Sequence, residues 1–354
     1  MLFSPAGARS TRLLSFGLAL ALGLALLAPW MPAAAHDDNA ATPAAQATPG
    51  SRPSIGTPII SVPNEQMSLT ANVSALLDGQ QGVYGVVVVD PTKGAIFSRN
   101  ATIPFISASL YKLPLMAHIY GMIEAGQATL DQPLTLDGWY YSINEGGDGY
   151  YDASQIGGTT TVQEALFATG AYSSNVGALA LASLTDWAAI QETAHQLGMV
   201  DTSLMVYPAT LPVWPPAEAT EDENGDLASA LAFIEAEASY GPVMVTTPAD
   251  IAVFFERLIA GEIVSQSTSA AIYEILSQQM VADRIPALLP ADTKTVHKTG
   301  NLDQVIHDAG IIYTPRGPVI LAALIQGDPD DAQATGVIQQ LARLVFDLAP
   351  LSGG

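Results

Sequence analysis

The sequence predicts an α/β fold of the α+β kind. One five-stranded antiparallel sheet is assembled from both ends of the chain and flanked by helices, with a mostly helical subdomain inserted between. Three observations predict it. Two strand-like runs, YGVVVVD (84–90) and AIFSR (95–99), come early, and three more, TKTVHKTG (293–300), HDAGIIYT (307–314) and PVILAALIQG (318–327), come late. The connections DPTKG (90–94) and PRG (315–317) are short turn signals, so the strands they join pair as hairpins. Helical periodicity fills the interval.

In chain order, Arg9 and Arg12 precede the apolar run LLSFGLALALGLALLA (13–28) and the small residues Ala33 and Ala35. That is the layout of a secretory signal peptide over 1–35, the alternative being an uncleaved membrane anchor. Residues 36–61, rich in Ala, Thr and Pro without a period, read as a flexible linker. A folded domain is expected over 62–350, its sheet-bearing part at about 62–108 and 246–350 and its helical part at about 109–245. A first helix covers 65–78 and precedes the first hairpin. The next spans 109–126 as one element. TTVQEALFATG (160–170) opens with Thr160 at capping-box spacing from Gln163, and DWAAIQETAHQLG (186–198) follows Thr185 as its cap. TTPADIAVFFERLIAG (246–261) has Thr247 as cap, Pro248 at the first helical position and Gly261 at its end. A last helix covers 330–348.

Hydrophobic residues make up 49% of the chain and charged residues 13%, a balance that supports a packed core. Beyond residue 35 there are 10 basic against 34 acidic residues, a net charge of −24, which repels phosphate backbones and excludes nucleic acid as a partner. The absence of cysteine excludes disulfides and thiolate chemistry. After signal cleavage the expectation is a secreted, extracytoplasmic monomer with no stable membrane partner.

The stretch SASLYKLPL (107–115) sets two serines ahead of one lysine. On a helix Ser109, three residues before Lys112, shares its face, whereas Ser107, five before, points away and suits a cap. A serine hydroxyl is a weak nucleophile until a base takes its proton, and a lysine held among apolar side chains can be that base. An amphipathic helix with an exposed lysine explains the same spacing. Two further segments weigh against that plain reading. GAYSSNVGALALA (170–182) carries Ser173, Ser174 and Asn175, and VHKTGNL (296–302) carries Lys298, Thr299 and Gly300.

The ordered set S-x-x-K, S-x-N and K-T-G resembles the class A β-lactamase-like serine hydrolases of the penicillin-recognising superfamily, over about residues 65–348. The resemblance implies a β-lactamase/transpeptidase-like fold and no cofactor. It implies a small-molecule β-lactam or a peptidoglycan peptide as substrate. Ser109 would be the acylated nucleophile, Lys112 its proton acceptor and Ser173 the proton shuttle to the leaving nitrogen. Asn175 would hold the substrate's amide side chain, and Lys298 and Thr299 its carboxylate. Gly300 would let the substrate approach the strand, and the backbone N–H groups of Ser109 and Asn301 would form the oxyanion hole.

The family's second step uses a glutamate in an E-x-x-x-N pattern. The interval 201–245 holds no such pattern, and spacing selects none of Glu218, Glu221, Glu223, Glu235 or Glu237, with Glu218 the nearest fit. The 218–226 cluster reads as a solvated acidic loop and lacks an EF-hand's spacing. Ser174 stands where the family has an aspartate that braces the loop. His118, His195, His297 and His307 show no metal-ligand spacing, so no metal site is expected; His118 reads as a packing or surface residue and His307-Asp308 as structural. The Gly- and Tyr-rich segment 138–158 reads either as a wall of the cleft or as a surface loop. The acylation machinery is complete in the sequence; the deacylating group is not identified.

Overall fold

The computed structural model describes residues 64–144, 146–206 and 226–349. The proposed signal peptide and linker, and Glu218, Glu221 and Glu223, lie outside the described residues. Among the described residues no helix is long and apolar enough to cross a membrane.

Helix α1 (Asn64–Leu77) leads into β1 (Val83–Asp90), β2 (Gly94–Arg99) and the short β3 (Phe105–Ile106). A 3₁₀ turn, Ala108–Tyr111, runs directly into α2 (Lys112–Glu124). The middle of the chain holds β4 (Pro133–Thr135), α3 (Gly138–Ser142), β5 (Thr159–Thr161), α4 (Val162–Ala171), α5 (Asn175–Ala182), α6 (Trp187–Gln196), β6 (Ser203–Val206), α7 (Asp226–Ala238) and β7 (Val243–Thr246). It closes with α8 (Pro248–Ala260), α9 (Gln266–Leu276), β8 (Thr295–Leu302), β9 (Val305–Thr314), β10 (Gly317–Gln326) and α10 (Asp331–Leu348).

The main sheet has the order β2-β1-β10-β9-β8, every neighbour antiparallel. This is the expected five-stranded sheet built from both chain ends. Its inner strands β1 and β10 read as continuous apolar runs because both faces are covered. In β10, Ile320, Ala322 and Leu324 pack toward the helical part, while Val319, Leu321, Ala323 and Ile325 pack against α1 and α10. Each large side chain so buried contributes about 1.5–3 kcal/mol, so the sheet is a stiff base for whatever its edge carries. Gly85 in β1 has no side chain to block α8: a Cβ there would lie 2.5 Å from Pro248 Cγ and 2.6 Å from the Phe105 ring.

Several local expectations are corrected. The 109–126 helix is two elements, with Ser109 on the 3₁₀ turn and α2 beginning at Lys112. Pro114 is therefore the third residue of α2, where a backbone N–H has no helical partner to lose. Ser107 stands at the N-cap position of the 3₁₀ turn, where its carbonyl accepts from Leu110 N–H at 2.9 Å. Its buried side chain makes no capping bond, however, and its N–H donates to Met244 O at 2.7 Å. The cap of α4 is Thr161, not Thr160, whose hydroxyl instead meets Tyr151 Oη at 2.9 Å. Asp186, not Thr185, caps α6, and Thr185 Oγ1 contacts His118 Nε2 at 2.9 Å. Two small sheets, β3-β7-β6 and β4-β5, lie outside the main one. Helix α8 has the expected Thr247 cap, with Pro248 as its first residue and Gly261 left-handed at φ 78°.

Candidate active site

The Ser109 turn is pinned to the sheet behind it. Ile106 N–H donates to Gln326 Oε1 at 2.9 Å, and Gln326 Nε2 donates to Pro104 O at 3.1 Å. His307 sits below the turn. Its Nδ1 accepts from Ile325 N–H at 3.1 Å, so its proton is on Nε2, which donates to Ile106 O at 2.7 Å. Burial lowers the His307 pKa to about 4, so the ring is a neutral strut near neutral pH. Held this way, Ala108 adopts φ 44°, a left-handed conformation that a non-glycine residue keeps only when its surroundings over-determine it.

Lys112, the first residue of α2, is fully buried. Its Nζ lies 2.5 Å from Ser173 O, 2.7 Å from Asn175 Oδ1, 3.0 Å from Ser109 Oγ and 3.4 Å from Ser173 Oγ. Ser173 O and Asn175 Oδ1 can only accept, so they take the two hydrogens of the neutral amine. The lone pair is left for the Ser109 hydroxyl. Desolvation lowers the Lys112 pKa to about 7, and Asp148 acts in the opposite direction.

Ser173 is the second non-glycine residue of the site with left-handed backbone, at φ 58°. Its hydroxyl accepts from Lys298 Nζ at 2.7 Å, placing it between the two lysine amines. Lys298 also donates to Thr299 O at 2.8 Å. Burial, with Lys112 nearby, depresses the Lys298 pKa well below the lysine range, while Asp308 supports its charge. Gly300 also has a protein neighbour that its motif did not announce. A Cβ on it would lie 3.1 Å from Ala108 Cβ and 3.2 Å from His307 Cδ2, so the missing side chain lets β8 approach the Ser109 turn. Strand β8 also continues past the K-T-G stretch to Leu302.

The structure thus joins Ser109, Lys112, Ser173, Asn175 and Lys298 by hydrogen bonds, sets Gly300 against the same turn and leaves Asn301 at its edge. It adds residues that motif reading missed. Arg284 Nη1 donates to Gly300 O and His307 O at 2.9 and 2.8 Å, and its Nη2 donates to Asn301 Oδ1 at 2.6 Å, which fixes the strand end behind the site. Asp308 accepts from Ile285 N–H at 2.9 Å and from His297 Nδ1 at 2.9 Å, tying the same segment to β9. From the 138–158 segment, Asn144 Oδ1 accepts from Asn175 Nδ2 at 2.9 Å, and Asp148 Oδ2 accepts from Ser174 Oγ at 2.6 Å. Asn144 and Asp148 of that segment therefore wall the Ser173–Asn175 turn on one side. Arg284 lies in DRIPALLPADTKTVHKTG (283–300), just ahead of the K-T-G stretch, and no spacing signal marked it, Asn144 or Asp148.

Glu235 is exposed on α7 and Glu237 partly so, and neither bonds to Ser109, Lys112 or Ser173. Among the described residues no cluster of three or more histidine or carboxylate side chains could hold a metal ion. His118 is occupied by Thr193 and Thr185, and His195 by Thr202 O.

Residues 68–349 match the Beta-lactamase enzyme family. None of the curated protein sequences matches the chain. Among solved structures, a β-lactamase from Sphaerobacter thermophilus is similar at TM-score 0.60 and 22% identity, covering 81% of this chain and 98% of its own. A class A β-lactamase from Bacteroides cellulosilyticus is similar at TM-score 0.63 and 17% identity, covering 81% and 99%. PBP-A is similar at TM-score 0.61 and 19% identity, covering 80% and 95%.

Proposed function

This chain belongs to the Beta-lactamase enzyme family, and from that premise we propose that it is an exported serine hydrolase that opens the β-lactam amide through an acyl-enzyme on Ser109. One observation carries the proposal: the buried Lys112 Nζ lies 3.0 Å from Ser109 Oγ, with Ser173 O and Asn175 Oδ1 placed to accept two of its hydrogens. The amine takes the hydroxyl proton as Oγ bonds to the lactam carbonyl carbon. The backbone N–H groups of Ser109 and Asn301 receive the developing oxyanion, each such donor being worth about 2.7–4 kcal/mol. As the C–N bond breaks, Ser173, held by Lys298, gives its proton to the leaving nitrogen and takes in return the proton that Lys112 received from Ser109. Lys298 and Thr299 receive the substrate carboxylate, and water then releases the acid product.

A second reading is a D,D-peptidase-like enzyme on peptidoglycan peptides, or a binding module that acylates without turnover. It is favoured by the lack of an E-x-x-x-N pattern in 201–245. An acyl-enzyme complex with penicillin G exists for a PBP-A mutant of the same fold.

Intact-mass measurement over time with penicillin G, with the adduct mapped by peptide, separates these readings. A transient adduct on Ser109 accompanied by product is expected. A persistent adduct would favour the second reading, and no adduct on accessible Ser109 would overturn both. The pH dependence is a separate prediction. Only the unprotonated Lys112 can accept a proton, so the acylation rate should rise tenfold per pH unit in acid and level off with a midpoint near the lysine's pKa of about 7. A rate independent of pH between 5 and 8, measured with a stopped-flow penicillin reporter, would remove Lys112 as the base; those limits bracket the midpoint by roughly a unit or more.

A further inference from the structure

We propose that Asp148 is a positioning residue for acylation, reaching in from the 138–158 segment to hold the Ser173–Asn175 turn and to set the charge environment of the Lys112 amine. The proposal rests on the acylation reading above. The turn supplies three of the four groups around Lys112 Nζ, namely Ser173 O, Ser173 Oγ and Asn175 Oδ1. It does so with Ser173 left-handed, a conformation the turn cannot keep unaided.

What holds the turn is a composite cap on α5. Ser174 Oγ accepts from Gly177 N–H at 2.8 Å and donates to Asp148 Oδ2 at 2.6 Å. The same Asp148 oxygen accepts from Val176 N–H at 2.7 Å. Its other oxygen accepts from Tyr150 N–H and Tyr151 N–H at 3.3 and 3.2 Å. Both carboxylate oxygens are thus occupied by donors, so Asp148 acts by holding and by its charge and does not serve as a proton acceptor in the reaction. Ser174 alone satisfies one N–H of the first turn. The carboxylate brought from 26 residues upstream satisfies a second and fastens the turn to the wall. Asn144 fastens Asn175 to the same wall.

The electrostatic half follows from which charges face Lys112. Lys298 faces it from β8, across Ser173 Oγ, and it is Lys298 whose charged form this proximity disfavours. Arg284, behind β8, acts on Lys298, and Asp308 on β9, bonded to His297 and Ile285 N–H, favours the charge of Lys298 from a distance. Its own turn contributes the Ser109 hydroxyl and the Tyr111 ring, whose centroid is 5.6 Å from Nζ. Asp148 is the one carboxylate acting on Lys112 among the described residues. Removing its charge must therefore lower the proton affinity of the amine. The base then becomes available at lower pH, while a loosened turn lowers the plateau rate.

The test reads Lys112 directly. The chain has four lysines, Lys93, Lys112, Lys294 and Lys298, so ε-¹³C-lysine NMR resolves each, with Lys112→Arg giving the assignment. In Asp148→Asn, the Lys112 titration midpoint is expected to fall by about one pH unit. The acid limb of acylation by a fluorescent penicillin should fall with it, and the plateau rate should drop about tenfold, within the range for a misplaced catalytic group. Asp148→Glu keeps the charge and should keep the midpoint while lowering the plateau. Adding Ser174→Asp to Asp148→Asn returns a carboxylate to the cluster and should raise the midpoint again. An unchanged Lys112 midpoint in folded Asp148→Asn, or an equal fall in Asp148→Glu, would overturn the proposal. If the wild-type protein forms no adduct, the acylation reading fails, and the NMR titration still decides whether Asp148 governs Lys112.

Discussion

Lys112→Ala is expected to slow acylation of Ser109 by about 10³-fold while the protein remains folded, the middle of the range for loss of a positioned general base. No other described group can take the proton from the same position. Ser109 Oγ has Lys112 Nζ as its side-chain partner, while Lys298 Nζ is directed at Ser173 Oγ and Thr299 O. The substitution leaves Ser173 O and Asn175 Oδ1 without their donor, and water entering the vacated space can replace it. Acylation kinetics with a penicillin reporter, beside a thermal melt, provide the measurement. Near-wild-type acylation in the folded variant would refute the role of Lys112. A variant that binds penicillin reversibly but forms no covalent adduct would support it.

Gly310→Ala is expected to destabilise the protein by about 3 kcal/mol and to impair acylation as well, the upper part of the usual cost of overpacking. Gly310 pairs with His297 across β8 and β9. A Cβ there would lie 2.2 Å from Val296 O and 2.5 Å from His297 Cβ. The first of these is backbone within a hydrogen-bonded ladder, so no rotamer change relieves it. Strand β8 must move, and it carries Lys298 and Thr299. Gly336, within α10 with nothing inside 4 Å of its Cβ position, is the matched control, and alanine there should be neutral or stabilising. Urea unfolding of both variants decides the point; equal midpoints would show that the sheet yields at Gly310.

Several elements were legible because a short-range rule governs them. The strands β1, β9 and β10 are apolar runs of sheet length, and helix α8 is punctuated by Thr247, Pro248 and Gly261 at positions where capping geometry demands such residues. Other elements were not legible because the rule has two solutions. Thr160 and Thr161 both carry hydroxyls suited to a cap, and only the pairing of Leu134 with Thr160 assigns the first to a strand. Strands of two to four residues, such as β3, β4 and β5, are too short to show a period. The 3₁₀ turn at Ala108–Tyr111 is imposed by contacts with β7, β9 and β10, far along the chain.

For the site the division is similar. By itself the sequence determined the fold class and set Ser109 three residues before Lys112, because a helical turn of either kind brings residues at that spacing together. Only the tertiary structure decided the state of that lysine, because a proton affinity depends on burial and on charges brought close by folding. Both elements come from outside the motif: the burial from a turn some sixty residues on, the compensating carboxylate from Asp148 in the 138–158 segment.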